Sequence, residues 1–234
     1  MDFKDTKLFR NGHYVHIDSV RKLLTSSGAS YKPETVRKYL HEWTKEGRIF
    51  DAGRGWYSDL SEKAELPATD GMMRILDWWR DAYPLETCRI WSTEQTAPYQ
   101  QHLPAHHVVF LYVERDAMEL VGHHLQDDLD LRVLIHPLGK EAERFDIQKW
   151  DVVIRPLLKA DSEPEFIALQ PSEILTDVAV EAESLNFIGE FDYGEVFITL
   201  TQSYRIDIPT FLRRCKERNN SAFGQISSVS PPSG

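Results

Sequence analysis

Tyr31-Lys32-Pro33-Glu34-Thr35-Val36-Arg37-Lys38-Tyr39-Leu40-His41-Glu42-Trp43-Thr44-Lys45, followed by Glu46-Gly47, is the stretch on which the reading of the N-terminal fold turns. Val36, Leu40 and Trp43 recur at i, i+4 and i+7 with Tyr39 beside them, while Glu34, Lys38, His41 and Lys45 fall on the opposite side. That spacing predicts an amphipathic helix with one packed and one solvated stripe. Ser30 is placed to cap it, Pro33 lies in the first turn where a missing N–H is harmless, and Gly47 stands where the chain must leave. Upstream, a helix and a short strand lead to Asp18, which reads as the N-cap of a helix over about residues 19–26, with Gly28 in the turn after it. Downstream, Arg48-Ile49-Phe50-Asp51 and Trp56-Tyr57-Ser58 read as two short strands around Ala52-Gly53-Arg54-Gly55.

This order is that of a winged helix-turn-helix, in which the second helix enters the major groove of DNA by its N-terminal end and the hairpin touches the backbone or minor groove. The residues expected at DNA are Tyr31, Lys32, Thr35, Lys38 and His41 on the helix and Arg54 at the hairpin tip. Lys45 lies further along the axis, within reach of a phosphate. A solvated helix face or a protein-binding module is the competing reading of the same pattern.

The charge supports the first reading. The whole chain of 234 residues carries a formal −10. Residues 1–60 hold 11 Lys and Arg against 8 Asp and Glu, a net of +3, and residues 61–234 hold 16 against 29, a net of −13. Two regions of opposite sign imply two kinds of partner. At +3 the first has modest affinity for any one duplex, so tight binding calls for two copies on a repeated or palindromic site. The expected organisation is a winged helix-turn-helix over residues 1–60, a linker over 61–70 broken by Pro67, a larger domain over 71–218 and a flexible Ser, Pro and Gly-rich tail over 219–234. With 41% hydrophobic and 27% charged residues, the composition excludes fibrous and broadly disordered classes. No apolar run approaches the roughly 20 residues of a membrane span, residues 1–10 lack the apolar core of a secretory signal, and Cys88 and Cys215 are too few for a disulfide framework. A cytoplasmic protein is expected.

In the larger domain, residues 72–83 are amphipathic, 87–91 and 107–113 are of strand length, and 116–126 are helical, with Asp116 as a candidate N-cap. Strands over 131–135 and 151–156 and helices over 171–183, 189–204 and 209–217 complete a mixed α/β (α+β) fold with a helical C-terminal end.

Ile90-Trp91-Ser92-Thr93, then His102-Leu103-Pro104, then the run from Val108 to Ala117, resembles the central signature of AbiEi-type antitoxins. Ile154-Arg155-Pro156-Leu157, the block from Pro171 to Asp177, and Tyr204-Arg205-Ile206 ahead of Leu212-Arg213-Arg214 continue the resemblance in the same order, from residue 13 to about 218. The resemblance implies a bacterial antitoxin of a toxin–antitoxin or phage-defence system. Such a protein represses its own operon through the winged helix and counteracts a nucleotidyltransferase-like toxin through the larger domain.

No catalytic or cofactor motif stands out, and no enzyme activity, cofactor or metal is expected. His102, His106 and His107 are close in sequence, and Glu119 and His123 share a helical face, but His106 and His107 at the start of a strand point to opposite sides and do not share one ion. Glu114, Asp116, Asp127, Asp128 and Asp130 would suit a metal-dependent nuclease only with a nearby lysine, which is missing. The alternatives to an antitoxin are therefore a winged-helix regulator whose α/β domain binds an effector or dimerises and, behind it, a nuclease.

Overall fold

Strand β1 (Tyr14–His16) passes directly into helix α1 (Ile17–Ser26) in the computed structural model, which describes residues 8–9, 12–26, 31–102, 104–158 and 168–218. Because the strand delivers the chain straight into the helix, Asp18 does not cap α1 as the sequence suggests. It sits inside the first turn, where its carboxylate accepts a hydrogen bond from Arg21 (2.8 Å) and still favours the positive end of the helix. Gly28, Ser30, Leu103, the tail over 219–234 and most of the segment expected to form a helix ahead of β1 lie outside the described residues.

Helix α2 (Pro33–Lys45) begins at its proline. Pro33 holds the preceding residue in extended backbone, so Lys32 (φ −65°, ψ 148°) takes the N-cap position expected of Ser30, and it does so without a side-chain cap. Val36, Leu40 and Trp43 are buried, and with Val20, Leu24 and Ile49 they form the core of this part of the chain. β2 (Phe50–Asp51) and β3 (Trp56–Ser58) follow, and β1, β3 and β2 pair in that order as an antiparallel sheet.

The other sheet is mixed. β4 (Arg89–Ser92) runs antiparallel to β5 (Val109–Val113), which is parallel to β7 (Val152–Pro156), itself parallel to β6 (Val133–Ile135). All five residues of β5 are buried, as expected of a strand covered on both faces. One face, through Ile90, Leu111, Val133 and Ile154, packs on α3 (Asp70–Ala82) and α4 (Met118–Leu129). Thr69 caps α3 by accepting from the Met72 amide. Asp116 does not cap α4: the chain tightens into a 3-10 turn over Arg115–Ala117, so Ala117 occupies the cap position. Trp91, Phe110, Tyr112 and Arg155 share the opposite face, where Arg155 meets Glu181 of α6 (Pro171–Leu185). The short α5 (Lys140–Glu143), α7 (Glu190–Ser203) and α8 (Ile208–Glu217) complete the described elements, a mixed α/β fold. No helix among the described residues is long and apolar enough to cross a membrane.

The division into domains differs from the sequence reading at its C-terminal end. One unit is Met1–Ala64 together with Phe197–Gly234, and the other is Glu65–Val196. The first boundary falls inside the expected linker, but residues 197–218 leave the domain expected over 71–218 and join the N-terminal residues. Hydrogen bonds explain the change. Arg205 donates to the Leu60 and Ser61 carbonyls (2.9 and 2.8 Å), its own carbonyl accepts from Ala64 (2.9 Å), and the Ile208 amide donates to Ala52 (2.9 Å).

Candidate nucleic-acid interface

Helix α2 and the turn between β2 and β3 carry the residues expected at DNA. Lys32, Lys38, His41 and Arg54 are exposed, and Tyr31 and Thr35 are half-buried. Tyr31 leans edge-on against Tyr39 at 6.1 Å and packs on the α2 core, so its ring is partly a structural element. Lys38 is paired with Glu42 across 3.9 Å of open surface, an arrangement too exposed to hold its ammonium away from another anion. Arg37, on the flank of the same helix, is also exposed. It is absent from the residues expected at DNA, although its i, i+4 spacing to His41 puts both on one side. Arg48 is turned away from this surface and lies over the Trp43 ring at 4.4 Å.

Arg54 is presented by its two glycine neighbours. Gly53 has φ +99° and Gly55 φ +78°, conformations an L side chain rarely adopts, and they let the turn close with the Trp56 amide donating to Gly53 (2.8 Å). The Asp51 carboxylate accepts from the Gly53 amide (2.8 Å), and the Ile17 amide donates to Gly55 (2.9 Å), which ties the hairpin to the start of α1.

A hydroxyl ties the same unit to its C-terminal segment. Tyr14 donates to the Tyr204 carbonyl (2.8 Å) and accepts from the Ile206 amide (3.1 Å). Burial pushes this phenol up to about 12, against the lowering effects of the Ile206 amide and Arg205. Tyr14→Phe removes both partners at once and should cost about 1–3 kcal/mol, read as a lower urea midpoint at unchanged m-value. An unchanged midpoint would show that water replaces the hydroxyl.

With the C-terminal segment included, this unit holds 17 Lys and Arg against 11 Asp and Glu, a net of +6. The other unit holds 10 against 26, a net of −16. The contrast of sign is therefore steeper than a cut at residue 60 suggests.

Among the described residues of the acidic unit, histidines and carboxylates meet in pairs and not in larger groups. His102 pairs with Asp192 (3.0 Å), His106 Nε2 donates to the Trp150 carbonyl (2.9 Å), and His107 lines a cavity with Thr69, Ser92, Val109 and Asp151. His106 and His107 precede β5 instead of opening it. Two hydrogen bonds from the Arg132 guanidinium (2.9 and 2.7 Å) lead the effects that hold the Asp151 carboxyl below its usual range. Glu114, Asp116, Glu119, His123, Asp127, Asp128 and Asp130 are exposed or half-buried at the surface. Among the described residues no three His, Cys, Asp or Glu side chains gather as metal ligands. Burial raises the Cys88 thiol to about 12, so it stays protonated at neutral pH. Trp79 is buried under Tyr83 (stacked, 4.7 Å), and Trp78 donates to Asp128 (2.9 Å).

A family model described as a family of unknown function, DUF6577, matches residues 35–226. No curated protein matches the chain. Among solved structures, the chain is similar to the RV2827C protein from Mycobacterium tuberculosis, at 12% identity and a TM-score of 0.33, over 96% of this chain and 79% of that one. A likeness at that level decides nothing about function.

Proposed function

This chain belongs to the DUF6577 family, and from that starting point we propose that it is a cytoplasmic DNA-binding antitoxin of a bacterial toxin–antitoxin or phage-defence system, with no catalysis of its own. It represses its own promoter through a winged helix and counteracts a nucleotidyltransferase-like toxin through the acidic unit. The observation that carries the DNA half is the surface of α2 and its hairpin: Lys32, Arg37, Lys38 and His41 exposed on one helix, with Arg54 held out between two glycines, in a unit of net +6. Support for the toxin half comes from the resemblance to AbiEi-type antitoxins and from a unit of −16, which suits a basic protein partner better than DNA.

The test is binding of the full chain to its own promoter as a labelled duplex. Lys38→Ala and Arg54→Ala should each weaken binding, by roughly tenfold where the residue reads a base and less where it meets a phosphate. Wild-type affinity in both variants, or no preference for the promoter over scrambled duplex, would defeat the reading. Growth rescue on co-expression with the neighbouring gene tests the toxin half.

A further inference from the structure

The hairpin tip that carries Arg54 rests on the first turn of α8. A Cβ built on Gly53 would lie 2.6 Å from Pro209 Cδ and 2.8 Å from the Asp207 carboxylate, so backbone and helix touch closely. Pro209, Arg213 and Lys216 stand at i, i+4 and i+7, one stripe along a single face of α8. The opposite face, Ile208, Phe211, Arg214 and Cys215, is buried. Arg213 and Lys216 are exposed, and Pro209 is half-buried under the hairpin. The stripe that begins at the tip therefore continues into solvent as two cations. From Pro209 to Lys216 it runs about 10 Å, at roughly 1.5 Å per residue.

We infer that α8 is a third DNA-contacting element, in which Arg213 and Lys216 extend the phosphate contact of Arg54 along the duplex backbone. The inference rests on the DNA-binding reading above. About 10 Å corresponds to roughly three base pairs of duplex, with several phosphates in reach of two long side chains. Such an interaction is with the backbone and carries no sequence preference of its own, so α8 sets affinity while α2 sets choice of site. Asp207 does not interrupt the stripe. Its carboxylate is turned to the Thr210 amide (2.7 Å) and caps the helix.

The experiment measures affinity of the full chain for a promoter duplex and an unrelated duplex between about 50 and 200 mM salt. Arg213→Gln combined with Lys216→Gln should weaken both duplexes equally and lower the slope of log K against log salt by about two, one for each phosphate that is no longer neutralised. Lys216→Glu should also weaken binding to both duplexes, and a circular dichroism melt confirms that each variant is folded. If slope and affinity stay at wild-type values in both variants while Lys38→Ala and Arg54→Ala weaken binding, the role of α8 is overturned and the DNA-binding reading stands. If the wild-type chain binds neither duplex, the DNA-binding reading falls and the inference with it.

Discussion

Replacing Arg155 with methionine should remove about 3–5 kcal/mol of stability, a large share of the roughly 5–15 kcal/mol that holds a domain folded. Arg155 lies on β7, between β5 and β6, and is 5% exposed. Its Nε and Nη2 both donate to one oxygen of Glu181, the first at 2.9 Å, and Nη1 donates to the Pro137 carbonyl (2.9 Å). Glu181, on α6, is 1% exposed. Methionine fills much of the same volume but takes the guanidinium away from a buried carboxylate, and the loss comes mainly from keeping that charge buried without its arginine. The pair itself is expected to add little over an apolar replacement. Arg155→Met combined with Glu181→Met should therefore recover most of the loss, and chemical unfolding of the two single variants and the double variant measures the coupling. A loss below about 1 kcal/mol in Arg155→Met would mean that water or another neighbour holds the Glu181 charge in place of the guanidinium.

The pair also marks where sequence stops being informative. In sequence, Val152-Val153-Ile154-Arg155-Pro156 reads as an apolar strand ending in a charged residue, and nothing local says that the charge turns inward to a helix 26 residues away. Helix α2 was legible because its pattern is local: a period of about 3.6 residues separates Val36, Leu40 and Trp43 from Lys38 and His41 whatever surrounds them. Strands β5 and β7 were legible as apolar runs for the same reason. The caps were not, since an N-cap depends on the backbone just before the helix. β1 running straight into α1 moved Asp18 inward, Pro33 moved the cap of α2 to Lys32, and the 3-10 turn displaced Asp116. At the candidate interface, charge and pattern picked out Lys32, Lys38, His41 and Arg54, which are exposed, and passed over Arg37, which is exposed as well but lies on the flank of the helix.

The place of α8 was the least legible feature of all, since Tyr14 and Tyr204 are 190 residues apart and each is an ordinary tyrosine in its own surroundings. The consequence is physical as well as descriptive. A fragment that ends before residue 197 loses the donor and acceptor partners of Tyr14, Ala52 and Leu60, so the N-terminal unit is not expected to keep its hairpin in place without its C-terminal segment.

A glycine series should expose that dependence most directly, with Gly53→Ala the most damaging at about 2–5 kcal/mol. Alanine at Gly47 (φ +69°) meets no atom within 4 Å and should cost only the strain of a left-handed backbone, about 1–2 kcal/mol. Alanine at Gly55 (φ +78°) approaches the His16 ring to 3.1 Å, and that ring can shift by a few tenths of an ångström. At Gly53 (φ +99°) the new methyl would lie 2.6 Å from the Pro209 ring, which is fixed at the start of α8 and cannot rotate away, so either the hairpin lifts or the helix moves. Stability should therefore fall in the order Gly47→Ala, Gly55→Ala, Gly53→Ala, measured by urea unfolding. The excess of the last over the first isolates the packing of hairpin on helix from the backbone strain that all three share. Affinity for duplex DNA should follow a different order. Under conditions where every variant is still folded, Gly53→Ala should weaken binding because Arg54 is displaced, and Gly47→Ala should leave it near the wild-type value because its turn lies outside the hairpin. A Gly53→Ala protein no less stable than Gly47→Ala would show that the hairpin does not rest on Pro209. Arg54 and α8 would then act as separate surfaces, with no continuous cationic stripe between them.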